Sequence, residues 1–91
     1  MRVIWKFPLE LKTHNKLLMP EGALVVHVAA QSGVPCLWAL CEPRAPKEPR
    51  LFAIVPTGMA FDENDATYLG TFILNGGGLH VLEPPRKRSA K

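Results

Sequence analysis

The sequence predicts an all-β protein: a small antiparallel sandwich or barrel of about six to seven strands, with at most one short helical turn. Short apolar runs rich in β-branched and aromatic residues recur about every 8 to 14 residues along the chain. Nine prolines and seven glycines in 91 residues lie between these runs, where they favour turns over helices. The longest largely apolar stretch, residues 23–41, contains two runs on either side of Gln31-Ser32-Gly33, which is the pattern of a β-hairpin.

This central hairpin consists of a valine-rich run over residues 23–30 and a second run over residues 34–41 that contains Trp38. Side chains alternate between the two faces of a strand, and here both sets are largely apolar. Gly33 supplies the positive φ that a tight reversal needs. We therefore expect the hairpin to lie at the centre of the fold, with both of its faces covered.

Shorter apolar runs predict the remaining strands. Alternation over residues 3–7 predicts a first strand that ends at Pro8, and residues 16–19 predict a short second strand. The glycine run at residues 76–78 predicts the reversal before the last strand, since no lysine or helix follows it to bind phosphate. The strands after the hairpin are expected over residues 51–55, 67–74 and 79–83.

Two polar segments separate these strands. Residues 42–50, EPRAPKEPR, contain three prolines, which have no N–H to donate to a neighbouring strand. We expect this segment to be an exposed, extended loop. Residues 62–65, DEND, are expected to form an acidic loop or a single helical turn that Asp62 caps.

The positive charge of the chain is concentrated in its last residues. The formal net charge is +3, and residues 84–91 carry four basic side chains and no acidic one. Residues 1–83 hold seven basic and eight acidic side chains, so this part is nearly neutral. We predict a single β domain over residues 1–83 and a basic, disordered tail over residues 84–91, which binds nucleic acid at most nonspecifically.

The two cysteines indicate a reducing compartment. Cys36 and Cys41 lie five positions apart on one predicted strand, so they face opposite sides about 17 Å apart and cannot pair. The sequence shows no signal peptide and no apolar stretch of membrane-spanning length. We therefore expect an intracellular protein that does not enter a membrane.

Patterns typical of catalysis or metal binding are weak in this sequence. His14, His27 and His80 have no cysteine or second histidine at a metal-ligand spacing. The acidic segment 62–65 lacks the distal glutamate of a calcium loop, and Cys36 lies in an apolar run, where a cysteine packs as a small hydrophobe. We expect a protein that is not an enzyme and that binds no cofactor or metal.

Four segments of the sequence together resemble a group of small, uncharacterised β proteins encoded by bacteriophages and prophages. These segments are IWKFPL at 4–9, MPEGA at 19–23, PCLWAL at 35–40 and GTF at 70–72. The resemblance covers roughly residues 1–83 and carries no catalytic residue. It implies a phage protein that acts in the cytoplasm of a bacterial host, where small phage proteins often disable CRISPR and other defence systems.

This resemblance favours a nonenzymatic accessory protein that binds and inhibits a host protein. The leading class of target is an anti-phage defence component, as for an anti-CRISPR protein. Exposed polar loops are the places where such a partner is expected to bind. The contacts are predicted at Arg44, Lys47, Glu48 and Arg50, and then at Asp62, Glu63 and Asp65.

Two alternatives remain open. One is an oligomeric sponge that sequesters an anionic signalling nucleotide at a site between subunits, since a 91-residue domain is too small for a deep internal site. The other is a virion or assembly component held by contacts between strand edges. The nucleotide site of the sponge is predicted to contain His27, Arg50, Tyr68 and His80.

Overall fold

Seven antiparallel strands make up the fold in the computed structural model, which describes residues 1–85. Residues 1–85 contain no helix, so this part of the chain has no helix that could span a membrane. The predicted all-β class is confirmed, while most of the predicted basic tail lies outside the described residues. The strands are β1 (Val3–Pro8), β2 (His14–Pro20), β3 (Leu24–Gln31), β4 (Val34–Cys41), β5 (Lys47–Pro56), β6 (Thr67–Leu74) and β7 (Gly77–Glu83).

The strands form two sheets that pack as a sandwich. One sheet has three strands in the order β1-β4-β3, and the other has four in the order β2-β5-β7-β6. Alternate side chains of both sheets point inward and bury apolar area, the main favourable contribution to folding. The buried core residues supplied by strands are Met19, Val28, Leu37, Ala39, Cys41, Phe52, Ile54, Phe72 and Val81.

Two tight turns join consecutive strands. Ser32 and Gly33, between β3 and β4, have φ values of 51° and 79°. Asn75 and Gly76, between β6 and β7, have φ values of 53° and 80°. Positive φ at both central residues is the type I′ geometry, which matches the right-handed twist of the paired strands. The second reversal therefore lies one residue earlier than predicted, and Gly77 begins β7.

The central hairpin is not covered on both sides, so that prediction is wrong. β4 is the middle strand of its sheet, but β3 is an edge strand. The four-stranded sheet covers the inward side of the hairpin, and no element of residues 1–85 covers the other side. Leu24 and Val26 on β3 are 59% and 49% exposed. One apolar face of the hairpin therefore packs in the core, and the other apolar face lies at the surface.

The prediction of a loop over residues 42–50 is also wrong in part, because residues 47–50 begin β5. Pro49 lies opposite Leu18 of β2 in the register. β7 pairs with β5 only from Ala53 onward, so β5 has a single neighbour at Pro49. A proline is tolerated in a strand where its missing N–H would have faced no partner.

The acidic segment 62–65 forms a turn and contains no helical turn. Asp65 has a φ of 63°, the left-handed conformation that aspartate tolerates better than most residues. This turn lies in the connection between β5 and β6, and all three of its acidic side chains are exposed.

The edge strands β3 and β6 approach each other and close one side of the sandwich. Both strands carry a bulge there, between Val25 and His27 and between Tyr68 and Gly70. A Cβ atom added to Gly70 would lie 2.6 Å from Cγ2 of Val28. Gly70 therefore permits the close contact between the sheets, and the bulges bend both edges away from a regular, open geometry.

Candidate binding surface

The outer face of the three-stranded sheet carries a continuous apolar surface. The register aligns Ile4 on β1, Leu40 on β4 and Leu24 on β3 in one row. Ile4 is 57% exposed, and Leu40 is half-buried. In the next row Trp38 lies between Lys6 and His27, with 5.5 Å between the ring centroids of His27 and Trp38. We call this surface the apolar face and define it by Ile4, Lys6, Leu24, His27, Trp38 and Leu40.

The apolar face arises from the composition of its strands. β-Branched, aromatic and leucine residues occupy the outward positions of β1, β3 and β4 as well as the inward ones. Soluble proteins scatter single apolar residues over their surface, but a continuous patch is uncommon and marks an interaction site more often than chance. This arrangement is therefore a candidate binding surface in residues 1–85.

The charge on this sheet is entirely basic. β1, β3 and β4 contain no aspartate or glutamate, and Lys6 is their single lysine or arginine. The Nζ of Lys6 donates a hydrogen bond of 2.6 Å to Oε1 of Gln31. This bond crosses over β4 near Cys36. The Cys36 side chain points outward but is buried. The hydrogen-bond acceptor of Lys6 is therefore a neutral amide.

The nearest carboxylate in sequence, Glu42, follows β4 directly and already has partners. Its Oε2 accepts a bond of 3.0 Å from the backbone N–H of Arg44, and its Oε1 lies 3.3 Å from the N-terminal amine. The Arg44 N–H, and then the amine, lower the pKa of Glu42 because they stabilise its charged form. Glu42 is therefore an ionised carboxylate that is engaged by the N-terminal amine and the Arg44 N–H.

The predicted partner contacts belong to two segments of the chain. Arg44 is exposed in the loop after β4, Lys47 lies with its Nζ 5.7 Å from the ring centroid of Trp5, and Glu48 is half-buried. The acidic turn at residues 62–65 belongs to the loop that leaves the other end of β5. β5 and β6 are both antiparallel to β7, so β6, which begins two residues after Asp65, starts at the same end of the sheet as β5.

Arg50, predicted as a surface contact and as a nucleotide ligand, lies inside the sandwich. Its Nε and Nη2 each donate a 2.8 Å hydrogen bond to the carboxylate of Glu83, and its Nη1 donates one of 2.5 Å to the carbonyl of Ala23. The Arg50 and Glu83 side chains are 8% and 13% exposed. The Glu83 carboxylate raises the pKa of Arg50, because it stabilises the guanidinium cation. Arg50 thus joins β5, β7 and the start of β3.

A polar cluster on the outer face of the four-stranded sheet is centred on His80. Its Nε2 lies 2.7 Å from the Thr57 hydroxyl. Its Nδ1 lies 2.8 Å from the hydroxyl of Tyr68 and 2.9 Å from that of Thr71, and these two hydroxyls also contact each other. The structure therefore brings together Tyr68 and His80 of the predicted nucleotide site. His27 belongs to the outer face of the opposite sheet.

Thr57 and Thr71 join this cluster only through strand pairing. Thr71 lies opposite His80 in the β6–β7 register, and Thr57 directly follows β5, the neighbour of β7. Local sequence does not reveal such neighbours. For the apolar face, by contrast, a signal was present in the two-sided apolar pattern of residues 23–41.

Within residues 1–85, no group of three or more histidine, cysteine, aspartate or glutamate side chains has an arrangement that could hold a metal ion. The chain shows no significant similarity to curated proteins or to solved structures. One family model, described as "Domain of unknown function (DUF7352)", matches residues 1–91. Because this match spans the whole chain, the protein belongs to the DUF7352 family of domains of unknown function.

Proposed function

We propose that the protein is a nonenzymatic binding protein that docks on another protein through the apolar face and inhibits it. The observation that carries this proposal is the uncovered row of Ile4, Leu40 and Leu24 beside Trp38. Each square ångström of apolar surface removed from water contributes about 25 cal/mol, so a partner that covers this row gains binding free energy. Aromatic residues that a partner buries often dominate the energy of such contacts, and Trp38 is the aromatic residue of this face.

In its finer form, the proposal is that this is a phage or prophage protein acting in the cytoplasm of a bacterial host. Its target would be a host protein, with anti-phage defence components as the leading class. The resemblance to phage-encoded proteins supports this setting. Two of the four segments that carry the resemblance, residues 4–9 and 35–40, overlap β1 and β4, which build the apolar face.

Capture of a host protein by the full chain tests the proposal when matched variants are compared. Ile4→Glu with Leu24→Glu places two carboxylates on the apolar face. Leu18→Glu with Ile73→Glu is the control on the opposite outer face, because Leu18 and Ile73 are 64% and 65% exposed and also lie in edge strands. We expect the apolar-face variant to lose at least about tenfold in affinity for the captured protein, as interface hot spots do.

The measurement is quantitative mass spectrometry of captured host proteins, followed by titration calorimetry with the protein identified. Circular dichroism establishes that both double variants remain folded. An equal loss for the two double variants, or no loss for either, would contradict binding through the apolar face.

The contact between Tyr68 and His80 supports a second candidate function, the nucleotide sponge. If His80 binds a cyclic mononucleotide or dinucleotide, ligand at 100 times its Kd should stabilise the protein by about 2.7 kcal/mol. Thermal unfolding with each nucleotide measures this shift. His80→Ala should abolish it, and His27→Ala should leave it unchanged because His27 lies on the opposite sheet. A monomer whose unfolding temperature does not change with any of these nucleotides would exclude the sponge.

A further inference from the structure

We infer that the partner surface that covers the apolar face is acidic: aliphatic side chains flanked by carboxylates on a second, different protein. This inference rests on the proposed function and adds the chemistry of the partner. It follows from the charges on the three-stranded sheet and from the size of the apolar face.

The charge argument starts from Lys6. Lys6 lies opposite Trp38 in the register, and in residues 1–85 its ammonium group donates a hydrogen bond to the neutral Gln31 amide and forms no ion pair with a carboxylate. No acidic residue occurs in β1, β3 or β4. A partner that buries Lys6 without supplying an acceptor would pay the desolvation penalty of a charge, whereas a partner carboxylate would form a charge-assisted hydrogen bond.

A second copy of the chain fits this face poorly. Three strands of six to eight residues, spaced about 4.8 Å apart with about 3.3 Å per residue, cover roughly 300–400 Å² of sheet. Stable complexes bury about 800 Å² on each partner. A two-fold dimer would also place this face against itself, so that each Lys6 would meet a sheet without carboxylates. Any partner must therefore extend beyond the sheet to bury this area, and only a different protein also supplies the acidic groups that a two-fold copy of this face lacks.

A nucleic-acid partner is disfavoured by the same residues. Phosphate backbones are bound by several lysine and arginine side chains, each of which releases counterions. The three strands offer Lys6 alone, on the same face as Ile4, Leu24 and Leu40, whose aliphatic side chains gain little from phosphate. The combination of one cation with a row of aliphatic residues matches an acidic protein surface instead.

Two synthetic peptides provide the test with the full-length protein. Both alternate leucine with a charged residue, one with glutamate and the other with lysine, so they differ only in the sign of the charge. Nuclear magnetic resonance titration of isotope-labelled protein gives both the affinity and the residues contacted. We expect the glutamate peptide to bind at least about tenfold more tightly and to shift the signals of Leu24, Trp38 and Leu40.

Lysine variants separate the charge effect from the apolar effect. Lys6→Gln keeps most of the aliphatic stem and should weaken binding of the glutamate peptide about two- to fivefold, in line with an exposed ion pair. Lys16→Gln is the control, because Lys16 is exposed on β2 of the other sheet. It should leave the affinity unchanged. Raising the salt concentration should weaken the binding of the glutamate peptide to the unchanged protein, and should not weaken its binding to the Lys6→Gln variant.

Equal affinity for the two peptides at the apolar face would overturn the acidic partner and leave the proposed function intact. No binding of either peptide at this face would contradict both. A concentration-dependent dimer in light scattering that Leu24→Glu abolishes would assign the face to a second copy. Stronger shifts of Leu24 and Trp38 with a duplex DNA than with the glutamate peptide would assign it to nucleic acid.

Discussion

Replacing Arg50 with methionine is expected to lower the free energy of unfolding by about 3–5 kcal/mol, a large part of the stability of a domain of this size. The change removes the cation of a buried ion pair and leaves the Glu83 carboxylate, 13% exposed, without its partner. It also leaves the carbonyl of Ala23 without the 2.5 Å hydrogen bond from Nη1. An unpaired buried charge is penalised more than the intact pair contributes, because desolvation is no longer compensated.

Urea denaturation measures this effect, with the slope of the transition confirming a folded starting state. Arg44→Met is the matched control, because Arg44 is exposed, and it should change the free energy by no more than about 0.5 kcal/mol. Arg50→Met combined with Glu83→Leu should recover part of the loss, since the two apolar side chains can pack together. A deficit of about 1–3 kcal/mol should persist from the unpaired Ala23 carbonyl. Equal unfolding midpoints for Arg50→Met and Arg44→Met would refute a stabilising role for the ion pair.

Gly70→Ala is expected to lower the free energy of unfolding by about 1–3 kcal/mol, the usual range for an overpacked core. The added methyl group would lie 2.6 Å from Cγ2 of Val28, well inside van der Waals contact. Val28 is buried, and a β-branched side chain has few alternative rotamers, so relief requires movement of β3 away from β6. Gly77→Ala is the control, because its nearest neighbouring atom would be 3.7 Å away.

Thermal and urea unfolding of the two alanine variants measure this difference. For a domain of this size, 1 kcal/mol corresponds to a shift of about 4–8 °C in Tm. Gly77→Ala should be neutral or slightly stabilising, since alanine reduces the entropy of the unfolded chain. Val28→Ala removes the clashing methyl group, so the Gly70→Ala, Val28→Ala double variant should be more stable than the sum of the two single effects predicts. Strict additivity, or equal stability of the two glycine variants, would show that the sheets do not depend on the Gly70 contact.

The effects expected at Arg50 and Gly70 depend on contacts between strands. The sequence reveals some features of the strands and not others. The Ser32-Gly33 turn and the strands beside it could be predicted, because turn chemistry and side-chain alternation are local. The bidentate contact of Arg50 with Glu83, 33 positions away, could not, since alternation does not specify which strand becomes a neighbour. For that reason Arg50 resembled the exposed basic residues of the segment before it.

The candidate binding surface was predictable only in part. The apolar pattern of residues 23–41 indicated two faces that avoid water, and from this pattern full coverage was the reasonable expectation. Whether both faces are covered depends on the number of layers in the fold. In a fold of two packed sheets, each sheet has one covered face and one outer face. The outward row of Ile4, Leu24 and Leu40 therefore appears only when β1, β3 and β4 are assembled in register.

By itself, then, the sequence determined the all-β class, the number of strands and most of their limits, because a period of two and the positions of proline and glycine are properties of a single segment. Tertiary structure alone decided which edges meet, why Pro49 lies within a strand, why Arg50 is buried and which face of the central hairpin remains open. These features depend on contacts between segments far apart in the chain. Such contacts depend on how much apolar area the assembled sheets bury and on how many of their polar groups form hydrogen bonds.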